Sequence, residues 1–212
     1  MSRVTRVVAM AILAIACGAV TSQAAPDVVT LTDAQLMDLG DLGWGSGSLG
    51  GKTDVLDEGV EFDITLGSEE DGKLAVGVWN SFSADWSGYD GFALKFTLLE
   101  GPEGTVEVAN FLQESSTWDF RQTKEDWPEL SVGESAVVYI DFADCIDGPG
   151  NAKDITGAVN PVRGVGFQVI TYDPDMLGEG ITLSVEPTNV PEPATLGLLA
   201  LAGLAGVVRR RR

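Results

Sequence analysis

Aromatic side chains are the residues of this chain best suited to chemistry without a catalytic group. It has five tryptophans and three tyrosines, and Trp79, Trp86, Trp118 and Trp127 fall at expected strand ends or in loops. An indole offers a flat apolar face to the C–H side of a pyranose, while amides and acids bond the sugar hydroxyls. Those four tryptophans are candidate stacking residues, with Tyr89 and Tyr172 behind them. Gln113, Arg121, Gln122 and Gln168 are candidate polar partners. The competing role for each ring is to plug the core or its rim, the commoner fate of a large aromatic.

Acids are the second resource. Asp141, Asp144 and Asp147, or Asp173, Asp175 and Glu179, could converge as hard oxygen ligands for a structural calcium ion, although neither set has EF-hand spacing. Glycoside hydrolysis needs two carboxyl groups placed about 5 to 9.5 Å apart, and Glu61-Phe62-Asp63 lacks the third acid of a laminarinase-type strand. No nucleophile elbow or phosphate loop is present, and the glycines from Gly43 to Gly51 precede no long helix. Histidine is absent, which removes the commonest general base and metal ligand. The expectation is a protein that is not an enzyme and needs no cofactor beyond that calcium.

Charge narrows the partners. Six of the thirteen basic residues, Arg3, Arg6 and Arg209 to Arg212, sit at the chain ends. Residues 25–190 therefore hold seven basic against thirty-one acidic groups, 7 − 31 = −24. Such a body repels phosphate backbones and anionic lipid, so no nucleic acid and no peripheral membrane adhesion are expected.

The first residues read as an export signal: Arg3 and Arg6, an apolar stretch from Val7 to Val20, then Ser22-Gln23-Ala24 as a small-x-small cleavage site. Cleavage is expected after Ala24. Cys17 would carry lipid in a lipoprotein signal, but Ala14-Ile15-Ala16 lacks the large aliphatic residue usual three places before such a cysteine. Losing the signal leaves Cys145 alone, with no internal disulfide to form. Asp144 and Asp147 disfavour its thiolate, so it reads as a small core or loop thiol.

At the other end, Val190-Pro191-Glu192-Pro193 precedes fifteen uncharged residues, Ala194 to Val208, and then Arg209, Arg210, Arg211 and Arg212. Fifteen helical residues rise about 22 Å, short of the roughly 30 Å of hydrocarbon in a bilayer. The arginines would stay cytoplasmic, and the prolines would keep the outer flank extended for a processing enzyme. This ending resembles the PEP-CTERM sorting signal. The resemblance implies recognition by an exosortase, transient anchoring through a transmembrane-type helix, and delivery to the cell surface or extracellular matrix.

Between these ends, apolar residues alternate. Val60, Phe62, Ile64 and Leu66 do so, as do Phe92, Leu94, Phe96 and Leu98; shorter runs lie at Leu74 to Val78, Val106 to Val108, Trp118 to Phe120, Val138 to Phe142, Val165 to Val169 and Ile181 to Val185. With Val28 to Leu31 these make about nine strands, and only Asp33 to Leu39, N-capped by Thr32, reads as helix. Turns are expected at Gly50-Gly51, Asp71-Gly72, Gly88, Gly101 to Gly104, Asp147 to Gly150 and Asp173 to Asp175. The fold class is all-β, an antiparallel two-sheet sandwich or jelly roll, flanked by a signal helix and a short C-terminal hydrophobic helix.

Residues Asp85 to Phe92, Trp127 with Tyr139 to Phe142, and Val162 to Ile170 with the strand at Ile181 resemble galactose-binding-like jelly rolls, which include many carbohydrate-binding modules. Ser184 and Glu186 stand where that family often has paired aspartates. The resemblance implies a carbohydrate-associated module and an extracellular polysaccharide partner. A purely structural acidic protein, bridged by calcium, is the alternative, and a glycosidase a third. The expected organisation is signal peptide 1–24, sandwich 25–187 and sorting signal 188–212.

Overall fold

The structure is a computed structural model, and it describes residues 27–55, 59–68, 72–114, 120–124 and 127–188. The expected signal and C-terminal helices, the sorting motif, the Asp71 half of one turn and Trp118 lie outside these residues. Asp27–Val190 forms one compact unit. Among the described residues no helix is long and apolar enough to cross a membrane.

The chain folds as a two-sheet β-sandwich. The first sheet holds β1 (Val28–Val29), β3 (Ser48–Val55), β4 (Gly59–Thr65), β6 (Gly91–Glu100), β10 (Ser135–Asp141) and β14 (Gly180–Pro187). β10 and β14 pair with β6, then β4 and β3 follow outward from β14. The second sheet runs β12 (Ala152–Lys153), β11 (Cys145–Asp147), β8 (Phe120–Gln122), β7 (Val106–Gln113), β13 (Gly164–Ile170), β5 (Leu74–Val78), β2 (Gly40–Asp41), with β9 (Glu129–Leu130) also on β7. The chain passes repeatedly between the sheets, as in a jelly roll, and every pairing except β1 with β6 is antiparallel. The one helix among the described residues, α1 (Asp33–Asp38), starts in a capping box: the Thr32 hydroxyl accepts from Gln35 N–H while the Gln35 side chain accepts from Thr32 N–H.

Alternation sends one side chain of each strand pair inward. Phe62 of β4 and Phe96 of β6 meet Phe167 of β13 across the interior, ring centroids 5.1 and 5.5 Å away. Each buried phenylalanine contributes about 1.5–3 kcal/mol by leaving water. Around them pack Leu94, Leu98, Val108, Leu112, Val165, Leu183 and Val185, all buried. Burial here stands in for a crosslink, since Cys145 is a buried free thiol.

The expected turn at Gly50-Gly51 is corrected: both lie inside β3, where the register against β4 shifts between Leu49 and Gly51. Two adjacent glycines mark a bulge in an edge strand as readily as a reversal. The fourteen strands among the described residues exceed the expected nine because several are two- or three-residue pairings with no room for alternation.

Candidate functional site

Alternation leaves a second set of side chains on the outer face of the β13 sheet. On β7 these are Ala109, Phe111 and Gln113; on β13, Gly164, Gly166 and Gln168; on β8, Phe120 and Gln122. Gly77 of β5 lies opposite Gly166, and Gly166 opposite Phe111. A Cβ at Gly166 would stand 2.7 Å from Phe111 Cζ, and one at Gly77 would stand equally close to it. The two glycines therefore give the Phe111 ring room to lie across the outside of the sheet. A phenylalanine exposed on an open sheet would be costly, yet Phe111 is buried. Its cover is aromatic: Phe120 stacks on it at 5.2 Å, Trp44 tilts over it at 5.5 Å and Trp79 at 6.3 Å.

Trp44 reaches this place from the loop between β2 and β3. Asp41 shapes that loop by accepting from Gly43 N–H (2.7 Å) and Leu49 N–H (3.3 Å). Leu42 N–H donates to Ala75 O at 3.1 Å and Gly47 N–H to Lys73 O at 3.0 Å, tying the loop to β5. Between them Gly45 has φ +110° and presses on the Lys73 carbonyl so closely that no Cβ could fit. Trp79 follows the last residue of β5, and its ring meets Trp44 edge to face at 4.8 Å and 77°.

Above these rings runs a groove of about 420 Å³ lined by Trp44, Lys73, Trp79, Phe120, Gln122, Trp127, Gly148 and Gln168. The two glutamines are linked by a long contact, Gln168 Nε2 to Gln122 Oε1 at 3.5 Å. Lys73 is the charged group among the described lining residues, and no carboxylate is among them. Apolar rings, two amides and one ammonium can stack on and hydrogen-bond a neutral polyhydroxylated chain.

The structure brings together Trp79, Trp127, Gln122 and Gln168 of the residues expected from sequence; of the other described candidates, Trp86, Tyr89, Arg121 and Gln113 do not line the groove, and Trp118 lies outside the described residues. Trp86 is corrected from ligand-binding candidate to core residue. It is 4% exposed, stacked on Phe92 (5.3 Å) and Phe142 (6.2 Å) with Phe82 at its edge. The run Asp85-Trp86-Ser87-Gly88 is a turn whose one apolar member folds back inward. Tyr89, 41% exposed, lies just beyond that turn and does not line the groove. Arg121 neighbours two groove residues on β8, but adjacent strand residues point to opposite faces. It sits opposite Leu112 and makes a buried 2.5 Å ion pair with Glu114. Gln113 is 3% exposed and bonds Asn80, and neither lines the groove.

Trp44, Lys73 and Phe120 were missed as site residues. Trp44 left one sign: Leu42-Gly43-Trp44-Gly45-Ser46-Gly47 has no strand alternation, so a large ring there had to find cover away from an inner sheet face.

The acidic candidates do not assemble. Among the described residues no group of three acidic, cysteine or histidine side chains could hold a metal ion. Asp141 caps its own turn by accepting from Ala143 N–H at 2.8 Å, and Lys124 holds Asp144 at 2.6 Å. These two share a second depression of about 460 Å³ with Thr123, Lys124 and Tyr139. Burial, then the charges of Asp141 and Asp90, push the Tyr139 hydroxyl up to about 12. Asp147 turns away to Asn151 and Lys153; burial raises its pKa, but hydrogen bonds from those two residues outweigh it and leave the carboxyl below its ordinary value. Cys145 donates to Lys153 O at 3.5 Å, and burial pushes its thiol up to about 11, the opposite of an activated nucleophile.

Solved structures similar to this one include the family 11 carbohydrate-binding module from Clostridium thermocellum in complex with a β-1,3-1,4-mixed-linked tetrasaccharide. It shows 12% identity and a TM-score of 0.45, with 80% of this chain and 99% of that one covered. An arabinose-bound α-L-arabinofuranosidase, MgGH51, shows 13% identity and a TM-score of 0.41 over 78% of this chain, and an exo-β-agarase 11% and 0.44 over 73%. The chain spans about a quarter of each of those two enzymes, 25% and 23%. No curated protein matches it. Residues 189–212 match the PEP-CTERM protein-sorting motif, so the chain carries that sorting signal after its β-sandwich.

Proposed function

We propose that this is an exported, non-catalytic polysaccharide-binding protein, processed by an exosortase at its PEP-CTERM tail and held at the cell surface or in the extracellular matrix. The observation that carries the binding half is the groove on the outer face of the β13 sheet, where Trp44, Trp79 and Trp127 meet Gln122 and Gln168 and no described carboxylate intrudes. Sugar rings stack on the indoles and their hydroxyls bond the amides. The sorting motif at residues 189–212 supports the export half.

Affinity gel electrophoresis of the exported protein through a panel of soluble polysaccharides tests the binding half. At least one polymer is expected to slow it, and Trp79→Ala to weaken that retention about tenfold, about 1.4 kcal/mol. No retention by any polymer, together with calcium-dependent self-association, would select the structural acidic protein instead. Mass spectrometry of the mature protein tests the export half: residues 1–24 and the four closing arginines are expected to be missing.

A further inference from the structure

We infer that Asn80 and Gln113 form a clamp that positions the Trp79 ring in the groove before any glycan arrives, an inference that rests on the groove being the glycan site. Neither residue lines the groove, so their part is to position Trp79.

Asn80 is the one non-glycine residue with positive φ among those described, at +60°. A Cβ is disfavoured in that conformation, although asparagine tolerates it better than most. Two reciprocal bonds over-determine it. Asn80 N–H donates to Gln113 Oε1 at 3.1 Å, and Gln113 Nε2 donates to Asn80 Oδ1 at 2.8 Å. Strain persists where surrounding structure enforces it, and here the enforcing residue is a glutamine buried at the end of β7.

What the strained turn does is visible one residue earlier. Trp79 leaves β5 immediately before Asn80, where the chain bulges before running on beside Arg163 and Val162, so the left-handed backbone at Asn80 fixes the direction from which the indole crosses the sheet. The ring and Gln113 also border the same space over Gly164: a Cβ there would lie 3.0 Å from Trp79 Cε3 and 3.1 Å from Gln113 Oε1. Gln113 thus grips the turn and flanks the same small space as the ring. The result is an indole standing edge-on to Trp44 at 4.8 Å without help from a ligand. Ordering a tryptophan in advance removes a conformational cost that binding would otherwise bear.

A role in folding alone would lower stability and leave the ring geometry intact, so the test reads geometry directly. Two indoles this close couple their excited states, giving a far-ultraviolet circular-dichroism couplet that Trp44→Phe should abolish. The exported protein is compared with Asn80→Gly, which permits positive φ but removes the amide, with Gln113→Leu, and with Asn80→Asp, which keeps an acceptor for Gln113 Nε2. The couplet is expected to disappear in Asn80→Gly and Gln113→Leu while cooperative unfolding remains, and to return in Asn80→Asp. Retention by whichever soluble polysaccharide slows the wild type should fall about tenfold in the first two variants. A full couplet in Asn80→Gly overturns the clamp, as does a wild type with no Trp44-dependent couplet. If Gln113→Leu does not fold, Asn80→Gly decides alone. A couplet present in the wild type and lost in Asn80→Gly, in a protein that no polysaccharide retains, would keep the clamp and remove the glycan reading.

Discussion

Replacing Gly166 by alanine tests the arrangement on which the groove floor depends. The added methyl would lie against Val76 O, 2.6 Å from Gly77 Cα and 2.7 Å from Phe111 Cζ. Carbon atoms pack at about 3.5–4.0 Å, so the strand, its neighbour or the Phe111 ring has to move by about 1 Å. Two of the three obstacles are backbone atoms of the adjacent strand, which cannot swing aside as a flexible side chain would. Overpacking costs about 1–3 kcal/mol where neighbours yield, and this site belongs at the upper end, near 3 kcal/mol. For a domain of this size about 1 kcal/mol lowers Tm by roughly 2–4 °C, which puts the expected loss at about 6–12 °C. Differential scanning calorimetry measures it, with Gly88→Ala as control, since nothing lies within 4 Å of a Cβ there. That control should stay within about 0.5 kcal/mol of wild type. Any Gly166→Ala protein that folds should also bind polysaccharide more weakly, because Phe111 can no longer lie flat beneath Trp44 and Trp79. Equal melting of the two variants would refute the argument that missing side chains on β5 and β13 make room for the aromatic floor.

Two other outcomes are expected. Trp86→Ala should cost about 3–5 kcal/mol, read by denaturant unfolding, without weakening polysaccharide retention below the folded fraction; retention lost with stability intact would return Trp86 to the binding site. Alkaline stability should follow Cys145 and Tyr139, whose protonated forms the fold favours. The Cys145 thiol rises from 9.0 to about 11 and the Tyr139 hydroxyl from 10.0 to about 12. Above each unfolded value the unfolded chain gives up a proton that the folded chain keeps, so both contributions are complete below pH 9 and are lost as pH rises through 11 and 12. Melting temperature should start to fall near pH 9, and Cys145→Ala should move that onset toward pH 10; an unchanged onset contradicts the burial assigned to the thiol.

Strands carrying the core were readable because period-two alternation is a direct consequence of one face being buried. Val60 to Leu66, Phe92 to Leu98 and Ile181 to Val185 became β4, β6 and β14 close to the expected limits. β3 was not readable: Ser48 to Val55 is an edge strand rich in glycine and polar residues, with no buried side chain to impose a pattern. The site was half legible. Trp79 and Trp127 could be named because tryptophan beside a strand end is unusual, but nothing local distinguishes them from Trp86, whose fate depends on Phe92 and Phe142 closing over it. Trp44 could not be placed without knowing that its loop folds back along β5, a contact between segments some thirty residues apart. The Asp141, Asp144 and Asp147 group shows the reverse error. Spacing brought the carboxylates near one another in sequence, and the fold gave each its own partner: Ala143 N–H for Asp141, Lys124 for Asp144, Asn151 and Lys153 for Asp147.

The most direct test of the account is titration of the exported protein with its best-retained soluble polysaccharide by isothermal calorimetry, beside the double variant Trp79→Ala and Trp127→Ala. Saturable heat is expected from the wild type, and from the double variant a binding constant at least about tenfold weaker with unfolding still cooperative. Undiminished affinity in a well-folded double variant would show that the aromatic groove is not where this protein meets its ligand.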